Sequence, residues 1–159
     1  MRKNKGFSLV ELIIVIAIMA ILVGIMVPVM MHFIEKSNVS SDYQLADTVR
    51  SAVAYSIVDA RVKEDDNSQA GLSAMENNPV DINELATTLN TNNAAVLVES
   101  LTEYIGMDPS NVVNQVKSKH GSNCKCMVST INGVVKVEFT ETDNTGKKDT
   151  SAGRNIIVQ

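Results

Sequence analysis

The stretch that decides the fold opens the chain: Gly6-Phe7-Ser8-Leu9-Val10-Glu11, followed from Leu12 to Met31 by 20 residues without a charged or hydrogen-bonding side chain. As an α-helix rising about 1.5 Å per residue, that run covers about 30 Å, the thickness of a bilayer's hydrocarbon layer. Arg2, Lys3 and Lys5 precede it. Cationic flanks stay on the cytoplasmic side, so the expected orientation is N-terminus in, with the rest of the chain translocated. A secretory signal peptide has a shorter apolar stretch, about 7 to 15 residues, and then a small-residue cleavage site. The residues that follow here, His32-Phe33-Ile34-Glu35-Lys36, offer no such site.

Glu11 stands at the entry to this apolar run. A carboxylate near a membrane interior costs about 2.5 kcal/mol or more and calls for a partner. Two readings are open. In the first, Glu11 rests in the headgroup zone against the positive start of the helix. In the second, a cut between Gly6 and Phe7 creates an α-amino group four residues before Glu11, one helical turn away on the same face, and the two charges neutralise each other.

A short basic leader ending in Gly6, then Phe7-Ser8-Leu9-Val10-Glu11 and an unbroken apolar helix, resembles the type III signal sequence of type IV prepilins and the related pseudopilins. The resemblance covers about the first 31 residues closely. It implies that a prepilin peptidase cleaves after Gly6 and methylates the Phe7 amine, leaving 153 residues. It further implies that Glu11 pairs with the Phe7 amine of a neighbouring subunit during assembly. Loss of Arg2, Lys3 and Lys5 takes the formal charge from -4 to -7. Gly24 and Pro28 weaken one and the same turn, because Pro28 has no N–H for the Gly24 carbonyl. A kink is expected there. In the family the corresponding stretch unwinds when subunits pack, so melting in a filament is expected as well.

Beyond the apolar run, Val39, Tyr43, Ala46, Val49, Val53, Ile57 and Ala60 recur at steps of three and four, with Ser40, Ser41, Asp47 and Arg50 between them. That spacing predicts an amphipathic continuation of one helix from Phe7 to about Val62. The charged, Gly-terminated stretch Lys63 to Gly71 predicts the loop that ends it. Short helices are predicted at Ile82 to Leu89, behind a capping-box-like Asp81-x-x-Glu84, and at Ala94 to Ile105, capped by Asn93 and stopped by Gly106. Asp108-Pro109 reads as the cap and first position of a further turn. Cys126 to Ile131 and Val134 to Thr140 flank Asn132-Gly133, a strong hairpin signal, and Ile156 to Val158 make a plausible third strand.

The expected fold is therefore α+β: a long N-terminal helix, half transmembrane and half amphipathic, packed on a small C-terminal antiparallel sheet, as in the pilin fold. The expected parts are a cleaved leader at 1–6, a membrane or filament-core helix at 7–31, and a head at 32–159 that includes the amphipathic half of the helix at about 32–62.

Composition excludes other classes. The chain has 159 residues, a net charge of -4 and only 4% aromatics without Trp, which argues against an electrostatic or base-stacking nucleic-acid binder. Cys124 and Cys126 project from one strand face about 6 to 7 Å apart, which suits two buried free thiols, with a disulfide across a bent backbone as the alternative. With His120 they lack a fourth zinc ligand. Asp143 and Asp149 lack the alternating oxygen ligands of a calcium loop. No cofactor, metal or enzymatic activity is expected.

From Asp59 to Tyr104 nine acids face two bases, and from Ile105 onward seven bases face five acids. Such runs are either solvated faces or surfaces that meet between neighbouring copies.

The resemblance implies a structural subunit of a type IV pilus, held in the inner or cytoplasmic membrane before assembly and then exported as a surface filament of identical subunits. Its implied partners are the prepilin peptidase and the assembly platform with its ATPase, and its implied roles are adhesion, twitching motility or biofilm formation. Two other readings are kept: a pseudopilin of a secretion or DNA-uptake system, and a single-pass anchored binding domain that never polymerises.

Overall fold

The structure, a computed structural model, describes residues 7–85, 95–118, 124–141 and 156–158. Its dominant element is helix α1, Leu9–Val58, 50 residues long and continuous through Gly24 and Pro28. The chain divides into two compact units, Met1–Ser37 and Asn38–Gln159. The second unit holds the hydrophobic core.

In that unit, α1 buries Asp42, Ala46, Val49, Ala52, Val53 and Ser56. The buried stripe is thus rotated from the one the apolar spacing predicts. Ala46, Val49 and Val53 are buried as expected, Ile57 packs partly, and Tyr43 and Ala60 are exposed. Asp42 and Ser56 occupy the buried positions at the two ends because each finds hydrogen-bond partners inside the unit, the condition for burying a polar group.

The long helix ends at Val58, four residues before the expected Val62. Asp59 adopts an extended conformation and its carboxylate accepts the Arg61 N–H, so it starts a new short helix, α2, Ala60–Glu64. The expected loop at 63–71 is instead helical. Asp65 accepts the Ser68 N–H and caps α3, Asp66–Ala74. The sequence there is polar and ends in Gly71, which suggests a loop, yet Ser68 and Gly71 are the side of α3 that is buried. Cap chemistry and close packing outweigh weak helix propensity.

Strand β1, Val80–Asp81, was not expected. Its Asp81 pairs in the sheet and also accepts the Asn83 N–H, so the capping signal is used, and residues 82–85 are helical. The rest of that predicted helix, to Leu89, lies outside the described residues. Helix α4, Ala95–Ile105, buries Leu97, Ser100, Leu101 and Ile105. Gly106 follows it at φ +79°, the left-handed geometry that ends helices. The expected cap Asn93 lies outside the described residues. Asp108 caps a 3-10 turn at Pro109–Asn111, as its sequence predicts, and a second turn, Val113–Gln115, follows.

β2, Cys124–Ile131, and β3, Val134–Glu141, form a hairpin in which Ile131 pairs with Val134. Asn132 and Gly133 take φ values of 52° and 78°, the two positive values a tight two-residue hairpin loop requires. Ile156–Val158 is β4. The four strands are antiparallel in the order β1-β2-β3-β4. Alternation along β2 and β3 sends Cys126, Val128, Val135, Val137 and Phe139 into one core with α1 and α4, which gives the α+β helix-on-sheet architecture.

Candidate functional site

The first candidate is the start of α1. Ser8 precedes the helix, its N–H donates to Glu11 Oε2 at 2.9 Å, and its carbonyl accepts the Leu12 N–H at 3.3 Å. Ser-x-x-Glu is half of a capping box, with the carboxylate reaching back to an orphan donor at the positive helix end. The signal is legible in the Ser8-x-x-Glu11 spacing, beside the charge of Glu11. Phe7, next to this pair, is 89% exposed. Gly6 lies outside the described residues.

From Leu9 to Ile34 every large apolar side chain of α1 is exposed. The helix is long and apolar enough to cross a membrane, and none of its most apolar window is buried inside the chain. So many exposed large apolar side chains are far beyond the patch a monomer keeps in water, and this surface calls for an apolar environment. At Gly24 nothing beyond the adjacent residues and the helix's own backbone lies within 4 Å of where a Cβ would stand. Its side of the helix is open.

Three polar clusters among the described residues of the second unit bear on the candidate sites. Asp42, fully buried, accepts the Lys117 N–H at 2.8 Å and the Ser118 N–H at 3.0 Å. At the α1–α2 junction, Ser56 and Ser100 are hydrogen-bonded at 2.9 Å and Ser100 donates to Asp59 Oδ2 at 3.2 Å. Arg61 donates to both Asp59 oxygens and to Glu103 at 2.8 Å. The hydrogen bonds from Arg61 hold the Asp59 carboxyl below its ordinary range, and those same bonds raise Arg61. The Tyr55 and Tyr104 rings meet in a tilted pair, with centroids 5.3 Å apart.

Third, Lys125 lies 3.0 Å from Glu84 and 3.3 Å from Asp81, and the Glu84 hydrogen bond chiefly raises its pKa. A cation of the C-terminal segment is thereby spent on acids of the middle segment within one chain. Lys147 and Lys148, which would carry the expected complementary surface, lie outside the described residues.

Cys124 and Cys126 are buried free thiols. Burial pushes the Cys126 thiol well above its ordinary range, and the Asp81 charge adds to this, so it stays a protonated, unreactive apolar group. His120, Asp143 and Asp149 lie outside the described residues. Among the described residues no three His, Cys, Asp or Glu side chains are placed to share a metal ion. A shallow depression of about 150 Å³ on the outer sheet face has Met127, Ile131 and Pro79 in its walls. Its charged members, Lys136 and Glu138, pair with each other at 3.6 Å.

Comparison with known proteins points to the helix start. Residues 1–27 match the prokaryotic N-terminal methylation motif. The chain is similar to the fimbrial protein EcpC of Eikenella corrodens, 39% identical over 74 residues, 46% of this chain and 48% of that protein. It is 41% identical over 54 residues to a fimbrial protein of Moraxella nonliquefaciens, 34% of this chain and 35% of that one. It is 35% identical over 71 residues to the type IV major pilin protein PilE of Neisseria gonorrhoeae, 45% of this chain and 42% of that one. The matched stretch spans less than half the length of each of these relatives. No solved structure matches significantly.

Proposed function

From an N-terminal methylation motif and stretches shared with type IV pilins, we propose that this chain is a structural subunit of a type IV pilus, most simply its abundant one. The observation that carries the reading is that every large apolar side chain from Leu9 to Ile34 is exposed while the second unit holds a buried core of its own. Such a chain needs an apolar environment for one part only. Lipid supplies it first, and the same helices of other copies supply it in a filament.

On this reading a prepilin peptidase cuts between Gly6 and Phe7 and methylates the new amine. Glu11, already turned to the helix start by the Ser8 N–H, then accepts the Phe7 amine of a neighbouring subunit, and its cost in an apolar medium becomes a term that sets register. Gly24 and Pro28 give the helix a turn with a missing hydrogen bond, where it melts on packing. Burial is similar in membrane and filament, so an assembly platform and its ATPase supply direction. The subunit passes from the inner membrane to the cell surface, where the filament serves adhesion, motility or biofilm formation. It is a building block with no catalytic role.

The test is intact mass and N-terminal sequencing of protein sheared from the cell surface. A chain starting at methylated Phe7 in the sheared fraction supports the reading. Processed chains found only in membranes point to a pseudopilin instead, and a membrane-bound chain still starting at Met1 leaves a simple anchor and overturns filament assembly.

A further inference from the structure

Cys124 and Cys126 stand two positions apart on β2, and both side chains are buried in the head's core without a bond between them. Lys125, between them, belongs to the other face of the sheet, where its ammonium lies 3.3 Å from Asp81 of β1 and 3.0 Å from Glu84. Asp81 is itself buried, so Lys125 compensates a carboxylate held away from water. Three consecutive residues thus serve two layers. The thiols fill the core, and the lysine fastens β1, which meets β2 with Val80 opposite Val128 and Asp81 opposite Met127.

We infer that Cys124-Lys125-Cys126 is a redox-sensitive lock: folded β2 keeps the two thiols apart and reduced, and a disulfide between them, once formed in an opened chain, keeps β2 from closing and β1 from being fastened. Side chains two residues apart on an extended strand leave it about 6 to 7 Å apart, whereas a disulfide draws its Cβ atoms to about 3.5–4.5 Å. The bridge therefore needs β2 shortened at Lys125 by about 2 Å or more. Such shortening breaks the successive pairs of Cys124 with Glu141, Lys125 with Thr140 and Cys126 with Phe139. It also takes the ammonium away from Asp81 and Glu84. Burial protects the thiols further, because exchange starts from a thiolate in contact with the oxidant. Cys126 is 0% exposed, and its burial keeps the thiol protonated. Strand and disulfide are alternatives, and the one that forms depends on whether the chain folds before it is oxidised. The lock rests on the sheet alone and stands whether or not the chain polymerises.

Oxidation of the full chain in detergent micelles by glutathione disulfide tests it. One cysteine thiolate attacks the reagent, forming a mixed disulfide and releasing a glutathione thiolate, and the second cysteine then displaces the other glutathione. Glutathione disulfide takes up the two electrons, its two thiolates take the two protons, and the chain ends two hydrogen atoms lighter. Intact mass, read after the remaining thiols are alkylated, follows the reaction. In buffer the chain should keep both thiols, and in urea that unfolds the head the bridge should form at least tenfold faster. Diluted out of urea, the bridged chain should lack the slow amide exchange at Val128 and Val137 that the reduced chain regains, and dithiothreitol should restore it. Bridging in buffer within tenfold of its rate in urea would overturn the lock. So would two glutathiones added in urea in place of the bridge, slow exchange at Val128 and Val137 in the bridged chain, or failure of dithiothreitol to restore it.

Discussion

Residues 9–34 and residues 42–56 belong to one helix, yet they solve opposite problems. In the first stretch every large apolar side chain is exposed, and the helix is fixed only by its backbone ladder and the Ser8–Glu11 cap. In the second, each turn has its inward side chain fully enclosed, down to two polar ones that carry their own partners. The difference teaches where stability and function reside: the head is complete within one chain, while the N-terminal stretch is completed by its surroundings. Substitutions should therefore separate cleanly. Glu11→Ala should lower sheared-filament yield by more than tenfold, the largest effect we expect, while the head's thermal midpoint stays within about 1 °C because Glu11 belongs to the other compact unit. Wild-type filament yield from this variant would break the comparison.

The reverse experiment removes packing from the head. Leu97 of α4 is fully buried in the core, and its N–H is held by the Ser68 hydroxyl at 3.1 Å. Leu97→Ala should cost about 2–5 kcal/mol, transfer energy plus the residual cavity. Chemical denaturation of the full chain in micelles reads it, monitored through the tyrosines. A loss below about 1 kcal/mol would mean that the head leans on something outside the chain, as the N-terminal stretch does.

How far the sequence reveals this division depends on which force decides each element. The apolar helix and the hairpin were legible, because uniform apolarity from Leu12 to Met31 and the Asn132-Gly133 pair leave few alternatives. The end of α1 was not. Ala60 and Val62 continue the helical spacing, and only the Asp59 carboxylate, bonding the Arg61 N–H and the Arg61 side chain, stops the helix at Val58. Asp42 and Ser56 were hidden for a related reason. A pattern of apolar spacing counts polar residues as outward, whereas these two are inward with partners 75 and 44 residues away. At the candidate site, the identity of Glu11 was readable, and its bond to the Ser8 N–H follows from Ser-x-x-Glu once that spacing is read as a cap.

A smaller effect sharpens the boundary inside the head. Gly133 sits at φ +78° with nothing within 4 Å of an added Cβ, so substitution there strains the backbone without a clash. Gly133→Ala should cost about 1–2 kcal/mol, the left-handed penalty of an L-residue, and should leave filament yield unchanged. A greater loss would mean that the hairpin tip, with exposed Ile131 and Val134 beside it, carries contacts beyond the single chain.

The smallest effect is acid sensitivity, and it too should belong to the head alone. Asp59 is held below its ordinary value of 3.8, chiefly by the Arg61 hydrogen bonds, and Asp108 is lowered by bonds from the Ser110 hydroxyl and N–H. A carboxyl whose folded pKa is depressed binds its proton more readily when unfolded. It therefore contributes stability that is complete above the ordinary value and fades as pH falls through the lowered one. The head's thermal midpoint should be flat from about pH 7 to 5 and decline below about pH 4, and Asp59→Asn should flatten part of that decline. Because the Arg61 side chain is half exposed, salt should weaken the effect. The helical signal of residues 9–34 in micelles has no such network behind it and should persist through the same range. If that signal and the head's fell together on acidification, the two stretches of α1 would be one cooperative unit, and the separation between them would not hold.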